Sequence, residues 1–145
     1  RAQAFQGFVL DLAEEACAKV SSFSARDLAG FTWALVAVDS SHSSHPFLDA
    51  AAQRSGDVLL EFSGHDLASL TWAFAIAQTE RLNNLNSDWL TWSFFSPLAI
   101  RAFSADLTGQ GLANLFWACA TFTVDDQFCT LMAQRAASQI HEFQL

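Results

Sequence analysis

Tyrosine is absent from the 145 residues, proline occurs twice and glycine six times, so the breakers are few and long helices are allowed. Cysteine is sparse and odd in number: Cys17, Cys119 and Cys129 are no disulfide framework, and they suit a reducing compartment. Cations are scarce as well. Seven Lys and Arg stand against fifteen Asp and Glu, a formal net charge of −8, whereas a nucleic-acid-binding domain carries a basic footprint. The longest largely apolar runs lie around Phe31 to Val38 and Leu112 to Phe122, far short of the roughly 20 residues that span a bilayer. No Gly-rich phosphate loop, nucleophile elbow or H-E-x-x-H pattern occurs, so the chain reads as non-enzymatic, without cofactor or metal. The chain starts at Arg1 rather than Met, which suits a processed protein or a piece of a longer one.

What is present is hydrophobic. Apolar residues make up 52% and charged residues only 15%, with 14 Phe and 5 Trp, which excludes a disordered segment. A chain of this length buries roughly two-thirds of its unfolded surface, enough for one domain with a real core.

A repeat organises that hydrophobicity. Phe23-Ser24-Ala25-Arg26-Asp27-Leu28-Ala29-Gly30-Phe31-Thr32-Trp33-Ala34-Leu35 recurs 39 residues later as Phe62 to Phe74, and again, more loosely, as Leu107 to Cys119. Trp33, Trp72 and Trp117 each follow the opening apolar residue by ten positions. Each repeat opens as a helix does. Ser24 with Asp27 and Ser63 with Asp66 form S-x-x-D capping pairs, while Thr108 faces Gly111 and loses the acid. Leu28, Phe31, Leu35 and Val38 then fall at helical spacing, as do Leu67, Leu70, Phe74 and Ala77. A second stripe runs through Ala29, Trp33 and Ala37, and through Ala68, Trp72 and Ile76, so this helix, type A, is expected to be sandwiched, with its tryptophans as core.

A second helix type, B, alternates with it. Its stripes are Phe8, Leu12, Ala16, Val20 and Phe23; Phe47, Ala51, Ser55, Leu59 and Phe62; Trp92, Ser96, Ile100, Ser104 and Leu107; and Phe128, Met132, Ala136, Ile140 and Phe143. The second A-to-B gap carries about six extra residues within 79–88, whose Asn-rich composition predicts a loop, and Pro97 is expected to kink the third B helix or delay its start. The chain therefore reads as all-α: one α-solenoid domain over 1–145, with a B helix at 5–22 and repeats at 23–61, 62–106 and 107–143. That is about three and a half hairpins in repeats of 36 to 45 residues, expected to wind right-handed. Both ends break mid-repeat, which suits a segment of a longer solenoid or ends covered by a partner.

The signature F-S-x-x-D-L-A-x-x-x-W-A, followed by F-x-x-x-A, resembles the octotricopeptide-type, RAP-associated helical repeats of algal and protist organelle proteins. The resemblance implies an organelle, plastid or mitochondrion. It also implies either single-stranded RNA binding in RNA processing, stability or translation, or a structural place in a large assembly. RNA-facing positions would be Arg26, Gly30, His65, Ser69, Gln110 and Asn114. Against that, a segment at −8 repels phosphate.

Trp89, Trp92, Phe94 and Phe95 put four aromatics in seven residues after the insertion. They either pack under the long loop or form an exposed patch for a partner protein or a membrane surface. His42 and His45 lie among serines before a proline, with no third ligand in reach. Cys17 and Cys119 sit at core positions and Cys129 at a helix start, while Glu14-Glu15 and Asp125-Asp126 are solubilising acids. Charge favours a protein-binding scaffold docked on a larger organellar assembly, a photosynthetic complex or a ribosome; organellar RNA binding is the alternative.

Overall fold

The computed structural model describes residues 2–38, 45–85, 89–122 and 126–139. Among the described residues every regular element is helical: α1 (Ala2–Lys19), α2 (Ala25–Val38), α3 (Pro46–Asp57), α4 (Gly64–Leu85), α5 (Trp92–Ser104), α6 (Gly109–Thr121) and α7 (Asp126–Gln139). Short 3₁₀ turns, Val20–Ser22 and Leu59–Glu61, lead from α1 and α3 to the next repeat. No described helix is long and apolar enough to cross a membrane.

The helix starts are local chemistry. Ser24 Oγ accepts from the Asp27 amide at 3.1 Å while Asp27 Oδ2 accepts from the Ser24 amide at 3.1 Å. Ser63 and Asp66 repeat that reciprocal pair at 3.1 and 3.3 Å. These bonds hold the Asp27 carboxyl below the usual carboxylate range. Thr108 accepts from Gly111 at 3.0 Å, and without an acid at that position the reciprocal bond is lost. At α3 the cap is His45, whose Nδ1 accepts from the Phe47 amide at 3.0 Å, with Pro46 starting the helix.

The A helices lie in a row, α4 packed along α2 on one side and α6 on the other, while α1 meets α3, α3 meets α2, α5 meets α4 and α6, and α7 meets α6. As the middle member α4 is the most enclosed, and Leu67, Leu70, Phe74 and Ala77 are all fully buried as the spacing predicts. On α2 only part of the expected stripe is covered: Leu28 and Leu35 are buried, Phe31 is half-buried and Val38 is exposed.

Several expectations need correction. The A helices are flanked but not sandwiched. Trp33 is 47% and Trp117 44% exposed, and Trp72 is half-buried. The buried stripe of α2 is Ala25, Leu28, Ala29, Thr32, Leu35 and Val36, and Trp33 lies roughly a quarter turn from its centre, where no second layer covers it.

The Asn-rich insertion is helix rather than loop as far as Leu85; 86–88 lie outside the described residues. Glu80, Arg81 and Leu82 are good helix formers, and Thr79 Oγ1 donates back to the Ala75 carbonyl at 3.0 Å.

The third correction is one of register. On α5 the buried residues are Phe95, Leu98, Ala99 and Ala102, whereas Ile100 and Ser104 are exposed. Phe95, not Trp92, is thus the equivalent of Phe47. Its unit reaches Leu107 in twelve residues instead of fifteen, because no 3₁₀ turn follows α5. Nor does Pro97 delay the helix, which starts five residues before it.

The stripe of α3 is as expected, with Phe47, Ala51, Ser55 and Phe62 buried and Leu59 half-buried. On α7 Phe128 and Met132 are buried; Ile140 and Phe143 lie outside the described residues. On α1 the expected stripe is split. Ala16 is buried and Val20 half-buried, but Phe8 and Leu12 face outward, and Val9 and Ala13 do the packing.

Candidate interaction surface

The outer side of the A-helix row is built from stretches that carry no charge. Leu28 to Val38, Leu67 to Thr79 and Leu107 to Phe122 contain no Asp, Glu, Lys or Arg. Their inward residues fill the core, and what remains outside is uncharged and mostly small or aromatic: Gly30, Trp33, Ala34, Ala37 and Val38 on α2, Gln110, Ala113, Trp117 and Ala120 on α6. Trp33 and Trp72 touch across the α2–α4 boundary with ring centroids 6.3 Å apart, tilted by 38°. Exposed tryptophans on an uncharged ground are the composition of an interface core rather than of a solvated face.

Positive charge is mostly spent inside the molecule. Arg54 on α3 donates to the Phe23 carbonyl at 3.2 Å, and Arg135 on α7 donates to the Ala105 carbonyl and lies over the Phe103 ring at 5.3 Å. Each arginine follows its B-helix phenylalanine by seven residues (Phe47 to Arg54, Phe128 to Arg135), a recurrence in the chain that signals this tie. Both tie a B helix back to the opening of its own repeat, at Phe23 in the first and at Ala105, just before Leu107, in the third. Lys19 pairs with Glu15 at 2.7 Å and holds that carboxyl below its ordinary range. Arg26 is exposed on α2 beside Asp27.

The aromatics after the insertion do not form one patch. Trp89 is half-buried: its Nε1 donates to Asp49 Oδ1 at 2.6 Å, the Arg81 guanidinium lies over its ring at 4.3 Å, and the Phe74 ring meets it edge-on at 5.6 Å. Arg81 also bonds Asp49 at 3.3 Å. The backbone beside it is held by Gln78, which is buried on α4. Gln78 Oε1 accepts from the Trp89 and Leu90 amides, both at 3.0 Å, and its Nε2 donates to the Leu90 carbonyl at 3.3 Å. Phe95 is fully buried and stacked on Phe122 at 4.0 Å. Phe94 alone of the described three is open, 41% exposed, and the Trp92 side chain lies outside the described residues. Trp89 and Phe95 as partner-binding residues are therefore corrected: one closes an intramolecular clasp between α3, α4 and the return segment, the other is core.

Four of the six positions suggested for RNA do meet. His65 and Ser69 on α4 and Gln110 and Asn114 on α6 line one open groove of about 180 Å³, together with Asp106, Thr108 and Gly111. Here the backbones come close, since a side chain at Gly64 would run into the Asp106 carbonyl. Gln110 Nε2 already donates to Asn114 Oδ1 at 2.9 Å. Arg26 and Gly30 lie on α2, apart from this groove. No cation lines it, and Asp106 does.

Burial pushes the Cys119 thiol up to about 12, so it is no nucleophile at neutral pH; Cys17 is half-buried and Cys129 exposed. His42 and Asp125 lie outside the described residues, and among the described ones no three His, Cys, Asp or Glu side chains gather to hold a metal. Compared with protein-family models, with curated proteins and with solved structures, the chain has no significant match in any of the three.

Proposed function

We propose that this chain is a non-enzymatic helical-repeat scaffold, an α-solenoid of about three and a half hairpins over 1–145, that docks on a larger organellar assembly such as a photosynthetic complex or a ribosome. The observation that carries this reading is the uncharged outer face of the A helices, with Trp33 nearly half exposed beside Trp72 and Trp117 nearly half exposed on α6. A partner for that face offers apolar side chains and uncharged polar groups, not phosphate. The −8 charge and the internal engagement of Arg54, Arg81 and Arg135 support it further. The solenoid is supported by the repeated capping pairs and by α4 lying along both α2 and α6. The organellar setting rests on the octotricopeptide-type resemblance.

One observation favours RNA instead: His65, Ser69, Gln110 and Asn114 share a groove, as base-reading side chains must. Such groups specify but do not hold, and a strand needs cations along its phosphates. Fluorescence anisotropy with a labelled single-stranded RNA pool, titrated from about 50 to about 200 mM salt, separates the two readings. The scaffold gives no salt-dependent binding. Binding that falls roughly a hundredfold or more over that range would replace the scaffold with the RNA reading.

A further inference from the structure

We infer that the groove between α4 and α6 takes an extended polypeptide segment of the docking partner, gripped by its main chain, with a basic side chain at one end and a large apolar one three residues on. The inference rests on the scaffold reading and names the form the partner has at that face. The groove lies between neighbours within the A-helix row, so it does not depend on what packs beyond either end.

Its place follows from the repeat. His65, Ser69 and Trp72 succeed one another at i, i+4 and i+7 on α4, and Gln110, Asn114 and Trp117 do the same on α6. That spacing puts each trio on one side of its helix, and all six are exposed or half-buried. Seven residues of helix rise about 10 Å, so the polar groove is followed at that distance by Trp72 and Trp117. Three residues of extended chain span about the same length.

The polar groups select main chain. Gln110 Nε2 donates to Asn114 Oδ1 at 2.9 Å. With that bond made, the pair still offers the Gln110 carbonyl oxygen as an acceptor and the Asn114 amide hydrogens as donors. Ser69 adds a hydroxyl and His65 a ring nitrogen from the α4 side. A neutral set of donors and acceptors matches the alternating N–H and C=O groups of an extended chain. A helix keeps those groups for its own hydrogen bonds and offers none sideways. Ala68 and Gly111, which also line the groove, are small enough for a backbone to lie close.

Charge sets the end group. Asp106 lines the groove, and no Lys or Arg does. A phosphate meets no such cation here, whereas a Lys or Arg of the segment meets a carboxylate.

The test is an NMR titration of the isotope-labelled full chain with the peptide acetyl-Lys-Gly-Gly-Leu-amide, read at the side-chain amides of Gln110 and Asn114 and at the indoles of Trp72 and Trp117. Saturable shifts at all four are expected at millimolar peptide. The double variant Gln110→Ala with Asn114→Ala, read at the indoles, should bind about fivefold or more weakly while keeping its helical circular dichroism. A peptide with Glu in place of Lys should bind several-fold more weakly, and Asp106→Asn should remove that difference. Equal binding by the wild-type and double-variant chains would overturn the proposal, as would equal binding of the two peptides by the wild type. So would a single-stranded RNA tetramer that shifts the Gln110 and Asn114 amides at lower concentration than the peptide, which would make the occupant a nucleic acid. No peptide binding, by a chain whose Trp33→Ser, Trp117→Ser variant still leaves its complex, would sink the extended segment and leave the scaffold standing.

Discussion

Replacing Phe95 with Ala is expected to cost about 3–5 kcal/mol, whereas Phe94→Ala next to it should cost less than about 1 kcal/mol. The two side chains are adjacent in sequence and opposite in environment. Phe95 has no exposed surface and lies flat against Phe122 at 4.0 Å, joining α5 to the end of α6. Its removal leaves a cavity between two helices whose backbones are fixed by their other contacts, so the loss of transfer energy adds to the loss of packing. Total stability for such a domain is about 5–15 kcal/mol, so the change removes a large share of it. Phe94 is 41% exposed and has little packing to lose. Urea denaturation of both variants reads this directly. Equal effects would mean the pair sits in a common surface patch, and the α5 register would be wrong.

The second large effect is expected at Gln78. Gln78→Leu removes three hydrogen bonds at once and leaves the amides of Trp89 and Leu90 without their acceptor. The Leu90 amide is buried, and each orphaned buried group costs about 1–3 kcal/mol, so a loss of about 2–4 kcal/mol is expected. The effect should also be localised. The return segment after α4 is held by Gln78 at its backbone and by Asp49 and Arg81 at the Trp89 ring. Hydrogen exchange at the Trp89 and Leu90 amides should therefore accelerate more than exchange in the middle of α4. Unchanged protection at those two amides would show that the clasp does not depend on Gln78.

The parts of this molecule that were legible in the sequence are the ones set by near neighbours. Ser24 with Asp27, Ser63 with Asp66 and Thr108 with Gly111 are contacts across three residues, and the structure repeats them one for one. The core of α4 was legible because that helix has neighbours on both sides, so its apolar stripe is buried in full. Periodicity says which residues share a side of a helix. It does not say whether anything lies against that side. Trp33 and Trp117, and likewise Phe8 and Leu12, occupy stripes that look like core, yet among the described residues they are exposed.

The α5 register failed for another reason. Trp92 and Phe95 both open an aromatic stripe, and the fifteen-residue spacing of the other B units selected the wrong one, since a missing 3₁₀ turn shortens this unit by three. The clasp of Asp49, Gln78, Arg81 and Trp89 joins residues up to 40 positions apart, and its polar members read locally as surface. Of the positions that the octotricopeptide-type resemblance implied, His65, Ser69, Gln110 and Asn114 line one groove, whereas Arg26 and Gly30 at the equivalent places on α2 do not join it.

The scaffold reading stands on the tryptophan face. Its most direct test is the native size of the assembly that holds the protein, compared between wild type and a double variant, Trp33→Ser with Trp117→Ser. Both side chains are close to half exposed, and among the described residues the ring that meets Trp33 is Trp72, so stability should fall by only about 1–2 kcal/mol and helicity should persist. The wild-type chain is expected to sediment with a large complex in native extract, and the double variant to move to the free fraction. A folded double variant that stays in the complex, or a wild-type chain that is already free, would contradict docking through the A-helix face.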